Sequence, residues 1–311
     1  MTAGIDDRHT SDPGSDESNL NNRPTTGGEV EGREGDHGIE RILVALDPST
    51  HSGAALEAGA RMASRLGAEL IGLFVEDVNV RRLAELPFVQ EVGFFTGRCR
   101  RVETRELSRQ LQVQAGRVQT RFRVRTQRLA TRCTFRVVRG RVAPEVLAAA
   151  AEADVVIMGK GAWSPFETEH LAPAVREVLT KTLASTLVLR GGAEIEPPMR
   201  VVYDGTSLAD KAVATAAELT KDDDGHVMIF LVGEDPDEAS CMEQKVTERW
   251  EDQGIELSFH RLTKGSVSRL AHLVAHEEGG TLVLPAGEEA LEDEAVLSFL
   301  DVTRVPVLLV R

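Results

Sequence analysis

Short runs of consecutive apolar residues recur along this chain and alternate with segments of helical periodicity. The run from Val155 to Met158, which ends at Gly159, is one of them. A strand that helices cover on both faces of a parallel sheet is apolar throughout, whereas a half-exposed strand alternates between apolar and polar residues. The pattern therefore predicts an α/β fold in which buried parallel strands alternate with helices.

The same pattern occurs twice within the 311 residues. Asp47 and Asp204 each follow the first strand of a copy, and the copies end alike, with Leu-Val-Leu-Arg at 187–190 and Leu-Leu-Val-Arg at 308–311. Each copy contains five predicted strands separated by helices. The sequence thus predicts two tandem doubly wound domains, each built on a five-stranded parallel sheet.

Three segments follow from this pattern. Residues 1–38 contain few large apolar side chains, too few to offset the entropy of ordering them, so they are predicted to be a disordered acidic tail. The first domain is predicted over 39–191, with an insertion at about 76–105 where the helical periodicity breaks down. The second domain is predicted over 198–311, after a linker rich in Gly and Pro.

Charge and cysteine content argue against several classes of protein. A formal net charge of −14 repels nucleic acid and anionic membrane surfaces. The three cysteines form no Cys-x-x-Cys pair, which favours a reducing cytosol over a zinc or disulfide framework. No apolar run approaches the roughly 18 residues of a membrane span, and the N-terminus lacks the pattern of a signal peptide. These features predict a cytoplasmic protein that does not bind membranes.

One segment departs from the overall charge. Between Arg98 and Arg141 there are fourteen Arg against two Glu, and apolar residues from Leu107 to Phe122 repeat at helical spacing. Such an Arg-rich helix binds nucleic acid or an acidic partner, or it pairs with this protein's own carboxylates, those of the second repeat or of the tail. The lack of interleaved aromatic residues favours self-pairing and argues against nucleic acid.

The turn after Gly159 is the predicted functional site. Beyond the carboxyl end of a parallel strand, the turn and the following helix N-terminus offer free backbone N–H groups and a partial positive charge to an anion. Lys160 and Gly161 follow directly and are available to meet such an anion.

Together with the chain on either side, this stretch resembles the universal stress protein family. Nucleotide-binding members of that family carry Gly-x2-Gly-x9-Gly-Ser/Thr after the fourth strand, and the same spacing from Gly159 falls on Ala162, Ala172 and Pro173. Pro173 has neither a hydroxyl nor an N–H to offer a phosphate. The resemblance covers about residues 40–311 and implies the adenine-nucleotide hydrolase-like fold with a damaged phosphate loop.

The resemblance also implies which residues of the first domain would hold a nucleotide. In nucleotide-binding relatives, the Asp after the first strand contacts the base or ribose, and a Val at the end of the second strand lines the adenine pocket. Asp47 and Val75 match these positions, and with Gly159 and Gly161 they form the candidate site for ATP or AMP. From the residues alone, an Asp at a strand end is equally an ordinary cap of the following helix.

In the second domain, Asp204 and Val232 are the equivalent residues of a vestigial site. The loop at 285–289 has Pro in place of the first Gly and two Glu where phosphate would lie, so no nucleotide is expected there. His272 and His276 have the spacing of two metal ligands, but the Glu that a zinc protease would carry after the first His is replaced by Leu273. No metal site and no catalytic residue are predicted.

These features predict a non-enzymatic regulatory or stress-response protein that acts by binding an unknown protein partner, with no cofactor or with weak ATP or AMP binding in the first domain. The alternative is an adenine-nucleotide sensor that uses the first domain. Relatives commonly pair through their last strand, so the resemblance implies that Thr186 to Leu189 and Val305 to Val310 join the domains into an intramolecular pseudo-dimer. A homodimer in addition to this pseudo-dimer stays open.

Overall fold

The apolar runs of the sequence form the strands of one large sheet. The computed structural model describes residues 38–85, 90–92, 99–101, 104–163, 170–220, 225–233, 235–250, 254–263, 279–287 and 294–311. Most of the predicted tail, part of the predicted insertion, and both His272 and His276 lie outside the described residues.

Twelve strands and eight helices are described. The strands are β1 (Arg41–Leu46), β2 (Glu69–Asp77), β3 (Gln90–Val92), β4 (Cys99–Arg101), β5 (Cys133–Gly140), β6 (Val155–Gly159), β7 (Ser185–Leu189), β8 (Met199–Tyr203), β9 (His226–Gly233), β10 (Glu256–Thr263), β11 (Thr281–Pro285) and β12 (Val307–Val310). The helices are α1 (Thr50–Leu66), α2 (Val78–Glu85), α3 (Thr104–Thr126), α4 (Val142–Ala150), α5 (Pro173–Lys181), α6 (Ser207–Thr220), α7 (Pro236–Trp250) and α8 (Glu294–Val302).

Ten of the strands form a single sheet in the order β10-β9-β8-β11-β12-β7-β6-β1-β2-β5. Each half of this sheet contains five parallel strands. Counted outwards from the centre of the sheet, the halves read β7-β6-β1-β2-β5 and β12-β11-β8-β9-β10, so equivalent strands of the two repeats occupy equivalent places. The predicted fold of two tandem five-stranded doubly wound units is confirmed. β3 and β4 form a separate antiparallel pair.

The two halves join where β12 pairs with β7. The pairing is antiparallel, with Val307 opposite Val188 and Leu309 opposite Thr186. These are the strands expected to meet at the junction, and that expectation is confirmed. Because the halves run in opposite directions across this junction, the strands of the first half are antiparallel to those of the second.

Helices cover both faces of the sheet, which explains the continuously apolar strands. Residues of α1, α3, α6 and α7 share one hydrophobic cluster, whereas residues of α4, α5 and α8 share another. Alternate residues of each inner strand enter the two clusters, as in β1, where Ile42 belongs to the first and Leu43 to the second. The equivalent helices of the two halves therefore lie on the same face.

Candidate functional site

The candidate site lies at the carboxyl ends of β1 and β6, which are neighbours in the sheet. The chain leaves these strands in different directions, since β1 also pairs with β2 and β6 also pairs with β7. Such a switch point is where ligands bind in open α/β sheets. Asp47 follows β1, and Gly159 is the last residue of β6.

The carboxylate of Asp47 is buried, with only 2% of the residue exposed, and its own chain surrounds it. One oxygen accepts hydrogen bonds from the Ser49 N–H (3.0 Å) and hydroxyl (2.5 Å), and the other accepts from the Trp163 N–H (2.5 Å). Ser49 in turn caps α1, because its Oγ accepts the N–H of Ser52 at 3.2 Å. Asp47 thus holds the start of α1 and ties it to the loop after β6.

Gly159 is explained by the close approach of α1 to β6. A Cβ on Gly159 would lie 2.7 Å from the Cβ of His51 and 2.8 Å from its carbonyl carbon. The Nδ1 of His51 accepts the N–H of Gly191 at 2.9 Å, which fixes the ring beside this contact. Gly161 is buried in the following turn. Packing alone therefore requires the glycine at 159.

Lys160 does not face the candidate site, so the expectation that it meets an anion there is wrong. The residue is 2% exposed, and its Nζ donates to the carbonyl oxygens of Asp301 (2.5 Å) and Thr303 (3.1 Å). These carbonyls belong to the C-terminal end of α8, in the second half of the sheet. A helix C-terminus carries partial negative charge and unpaired carbonyls, so it attracts the ammonium.

Asp301 fastens the far end of the same loop. Its Oδ1 accepts the N–H of Leu171 at 2.6 Å, and its Oδ2 lies 2.8 Å from the Nδ1 of His170. Burial acts to raise the pKa of Asp301, but the Leu171 N–H, His170 and Lys160 outweigh burial and hold that pKa below its usual range. The loop after β6 is therefore attached to the second half at both of its ends.

A reciprocal contact reaches from the second half to the first. The guanidinium of Arg311 donates to the carbonyl oxygens of Leu179 (2.6 Å) and Thr182, at the C-terminal end of α5. The N–H of Arg311 donates to Ser185 Oγ at 3.1 Å. Each half thus provides a cation that caps the last helix of the other half.

Val75 lies in the core at the end of β2, with 2% of its surface exposed. It is paired with Val138 of β5. The next residue, Glu76, is 8% exposed and accepts two hydrogen bonds from the guanidinium of Arg139, at 2.9 and 3.1 Å.

The equivalent positions of the second half differ in burial. Asp204 is exposed, and its Oδ1 accepts the N–H (3.1 Å) and the hydroxyl (2.6 Å) of Thr206, while Val232 is partly buried. The hydroxyl of the buried Tyr203 donates to Asp210 at 2.6 Å. Burial and this hydrogen bond raise the pKa of Tyr203 to about 12.

The arginines of the α3–β5 region pair in part with carboxylates of the first half. Arg125 binds Glu57, Arg132 binds Glu69, Arg136 binds Glu152, and Arg139 binds Glu76. These partners lie in the first half rather than in the second repeat. Pairing with the protein's own carboxylates therefore accounts for some of the arginines in this segment. The carboxylates belong to the first half, whereas those of the second repeat or of the tail were expected.

Among the described residues, no group of three or more His, Cys, Asp and Glu side chains is placed to hold a metal ion. None of the described helices is both long enough and apolar enough to cross a membrane.

Residues 38–190 match the model of the universal stress protein family. The chain belongs to that family. A universal stress protein from Archaeoglobus fulgidus is similar in structure, with a TM-score of 0.63 and 18% identity over 87% of this chain and 98% of that one. A functionally unknown protein from Pseudomonas aeruginosa gives a TM-score of 0.57 and 12% identity over 88% of this chain and 92% of its own. No curated protein matches the sequence.

At these identities the two structures show the shared fold alone. The likeness covers most of the chain and so extends over both halves of the sheet of this universal stress protein.

Sequence reasoning missed the contacts that Lys160 and Asp301 make between the halves. The two residues are 141 positions apart, and neither belongs to the family pattern. The one available signal is that Asp301 lies between a segment of helical periodicity and the last apolar run, at a helix C-terminus where a cation from elsewhere is favourable.

Proposed function

We propose that this universal stress protein is a non-enzymatic stress-response protein that acts by binding protein partners and requires no nucleotide in either half. The observation that carries the proposal is the position of Lys160. Its ammonium is committed to the end of α8, although it follows directly on the strand after which relatives bind phosphate.

The energetics support this proposal. Hydrogen bonds from a charged donor are worth about 1.5–3 kcal/mol each, so releasing Lys160 from two carbonyls would cost about 3–6 kcal/mol. A nucleotide bound with a dissociation constant of about 100 μM gains only about 5.5 kcal/mol. A ligand that had to recruit Lys160 would therefore lose most of its binding energy in doing so.

Backbone donors near the two loops are also engaged. The N–H of Lys160 donates to Leu189 O and the N–H of Ala286 donates to Val310 O, each at 2.8 Å. The N–H of Trp163 is bound to Asp47. These bonds leave fewer N–H groups for a phosphate than the bare sequence pattern implied.

Calorimetric titration of the full chain with Mg-ATP and with AMP tests the proposal, together with chromatography of any nucleotide released by denaturing the purified protein. We expect no binding heat and no retained nucleotide. The matched variants are Asp47→Ala and Asp204→Ala. Binding tighter than about 100 μM that is lost in Asp47→Ala and kept in Asp204→Ala would replace the proposal with a sensor in the first half.

We propose the reducing cytosol as the place of action. The support is that Cys133 and Cys241 are free thiols. Recovery of a disulfide involving either residue from cells lysed under alkylating conditions would contradict this location.

A further inference from the structure

The two ends of the sheet carry opposite charge. Residues 39–190 contain 23 Lys and Arg against 16 Asp and Glu, whereas residues 198–311 contain 10 against 23. The difference is concentrated at the outer ends. Residues 104–140, which form α3 and β5, contain ten Arg and one Glu, and residues 235–263, around α7 and β10, contain eight acidic and three basic residues.

Both ends also present an edge strand. Among the described residues, β5 pairs only with β2, and β10 pairs only with β9. Each edge strand is eight residues long and contains no proline. Long edge strands without proline can offer unpaired N–H and C=O groups to another chain.

A groove accompanies each edge strand, between the strand and the helix that precedes it. The groove beside β5 has a volume of about 390 Å³ and includes Arg123 and Phe135 in its lining. The groove beside β10 has a volume of about 300 Å³ and includes Glu243, Glu248 and Arg261, of which Arg261 binds Glu243 at 2.9 Å. The two grooves are equivalent in the repeat and differ in the sign of their charge.

We propose that copies of this protein associate head to tail, with the α3–β5 end of one copy against the α7–β10 end of the next. Because the halves run in opposite directions, a neighbour related by translation would bring its β10 beside β5 as an antiparallel pair. That pairing continues the sheet in the same manner as the junction between β7 and β12.

The helices fit the same arrangement. α3 and α7 lie on one face of the sheet, and each packs over the two outer strands of its half. Strands in a sheet are about 4.8 Å apart, so α3 and the neighbour's α7 would lie about two strands, or about 10 Å, from each other. This separation is a normal distance for packed helices, and it places the Arg-rich helix against the acidic one.

A second copy suits the basic end better than nucleic acid does. Apolar side chains are exposed there beside the arginines, namely Val113 (47%), Val124 (57%) and Val137 (47%). Apolar contacts together with Arg are typical of protein interfaces, whereas nucleic-acid backbones are bound through charge and hydrogen bonds.

Head-to-tail contacts between neighbours related by translation do not close into a ring, so they produce open chains of molecules. Because the interface is rich in opposite charges, its strength falls as salt screens them. The assembly does not depend on whether a nucleotide binds.

Sedimentation velocity of the full chain at several concentrations, at about 50 mM and about 500 mM salt, tests the proposal. We expect dimers and longer species at low salt and monomers at high salt. The double variant Arg109→Glu/Arg123→Glu disables the basic end, and Glu243→Lys/Glu248→Lys disables the acidic end. Each should be monomeric at low salt, whereas the matched charge changes Arg176→Glu/Arg304→Glu, near the centre of the sheet, should leave association unchanged.

Mixing the two disabled variants gives the decisive result. Each retains one intact end, so a 1:1 mixture should associate at low salt although neither variant does so alone. A wild-type chain that is monomeric at low salt overturns the proposal, as does association that survives in either disabled variant. The basic end would be assigned to nucleic acid instead if the protein bound RNA and did not self-associate. In that case RNA binding would require the arginines and would be unaffected by the Glu243→Lys/Glu248→Lys change.

Discussion

Replacing Lys160 with methionine would remove the ammonium while keeping an unbranched side chain of similar length. The two hydrogen bonds to α8 are together worth about 3–6 kcal/mol, but the variant no longer has to bury a charge. We therefore expect the free energy of unfolding to fall by about 2–4 kcal/mol. The loss arises because two carbonyls at the end of α8 are left without their donor.

Urea denaturation followed by circular dichroism measures this change, and Lys181→Met provides the matched control. Lys181 is exposed and pairs with Glu177 at 2.7 Å one helical turn away on α5. Such a pair contributes about 0.3–0.5 kcal/mol, so the control should be close to wild type. If Lys160→Met were no less stable than Lys181→Met, the ammonium would not be committed to α8, and the case against nucleotide binding would lose its main support.

Three further predictions follow from single contacts. Gly159→Ala should destabilise the fold by about 1–3 kcal/mol, because its Cβ would collide with His51. Gly116→Ala, on an open helix surface, should stabilise the fold by about 0.5–1 kcal/mol in the same denaturation assay. Equal effects of the two substitutions would contradict this packing. The pKa of Asp301 is lowered by folding, so the stability that this residue contributes is present above its unfolded pKa and is lost as pH falls through the folded value. In Asp301→Asn, the free energy of unfolding should therefore fall less steeply as the pH is lowered. Tyr203 is the single tyrosine, so ultraviolet titration should show one phenol that ionises near pH 12 in the folded protein and near pH 10 in the unfolded chain. Because the pKa is raised by folding, the stability that Tyr203 contributes is lost as pH rises through the folded value. Ionisation near pH 10 in the folded state would refute the Tyr203 contacts.

The fold could be predicted from the sequence because it depends on local pattern. Continuously apolar runs such as 155–158 define buried strands, and residues such as Gly67, which ends α1 with a φ of 66°, mark helix ends. The duplicated endings at 187–190 and 308–311 identified the junction strands, because the family resemblance supplied their pairing. Each of these signals lies within a short stretch of chain.

The candidate site could be predicted only in part, because its chemistry depends on contacts between distant residues. The position of Asp47 at a strand end was visible, but whether its carboxylate faces a ligand or its own backbone depends on Trp163, which is 116 residues away. Lys160 is the sharper case. Beside two glycines it has the appearance of an anion-binding residue, yet the end of a helix from the other half takes its charge.

The tandem arrangement provides a physical reason for this use of Lys160. In a single chain, the second half is held beside the first at a high effective concentration, so a hydrogen bond between the halves forms at any protein concentration. A lysine that in separate subunits would depend on association can here be committed permanently. Arg311 makes the reciprocal commitment to the end of α5, and the halves become mutually dependent. The loop that follows β6, at the position of a ligand site, therefore stabilises the contact between the two halves.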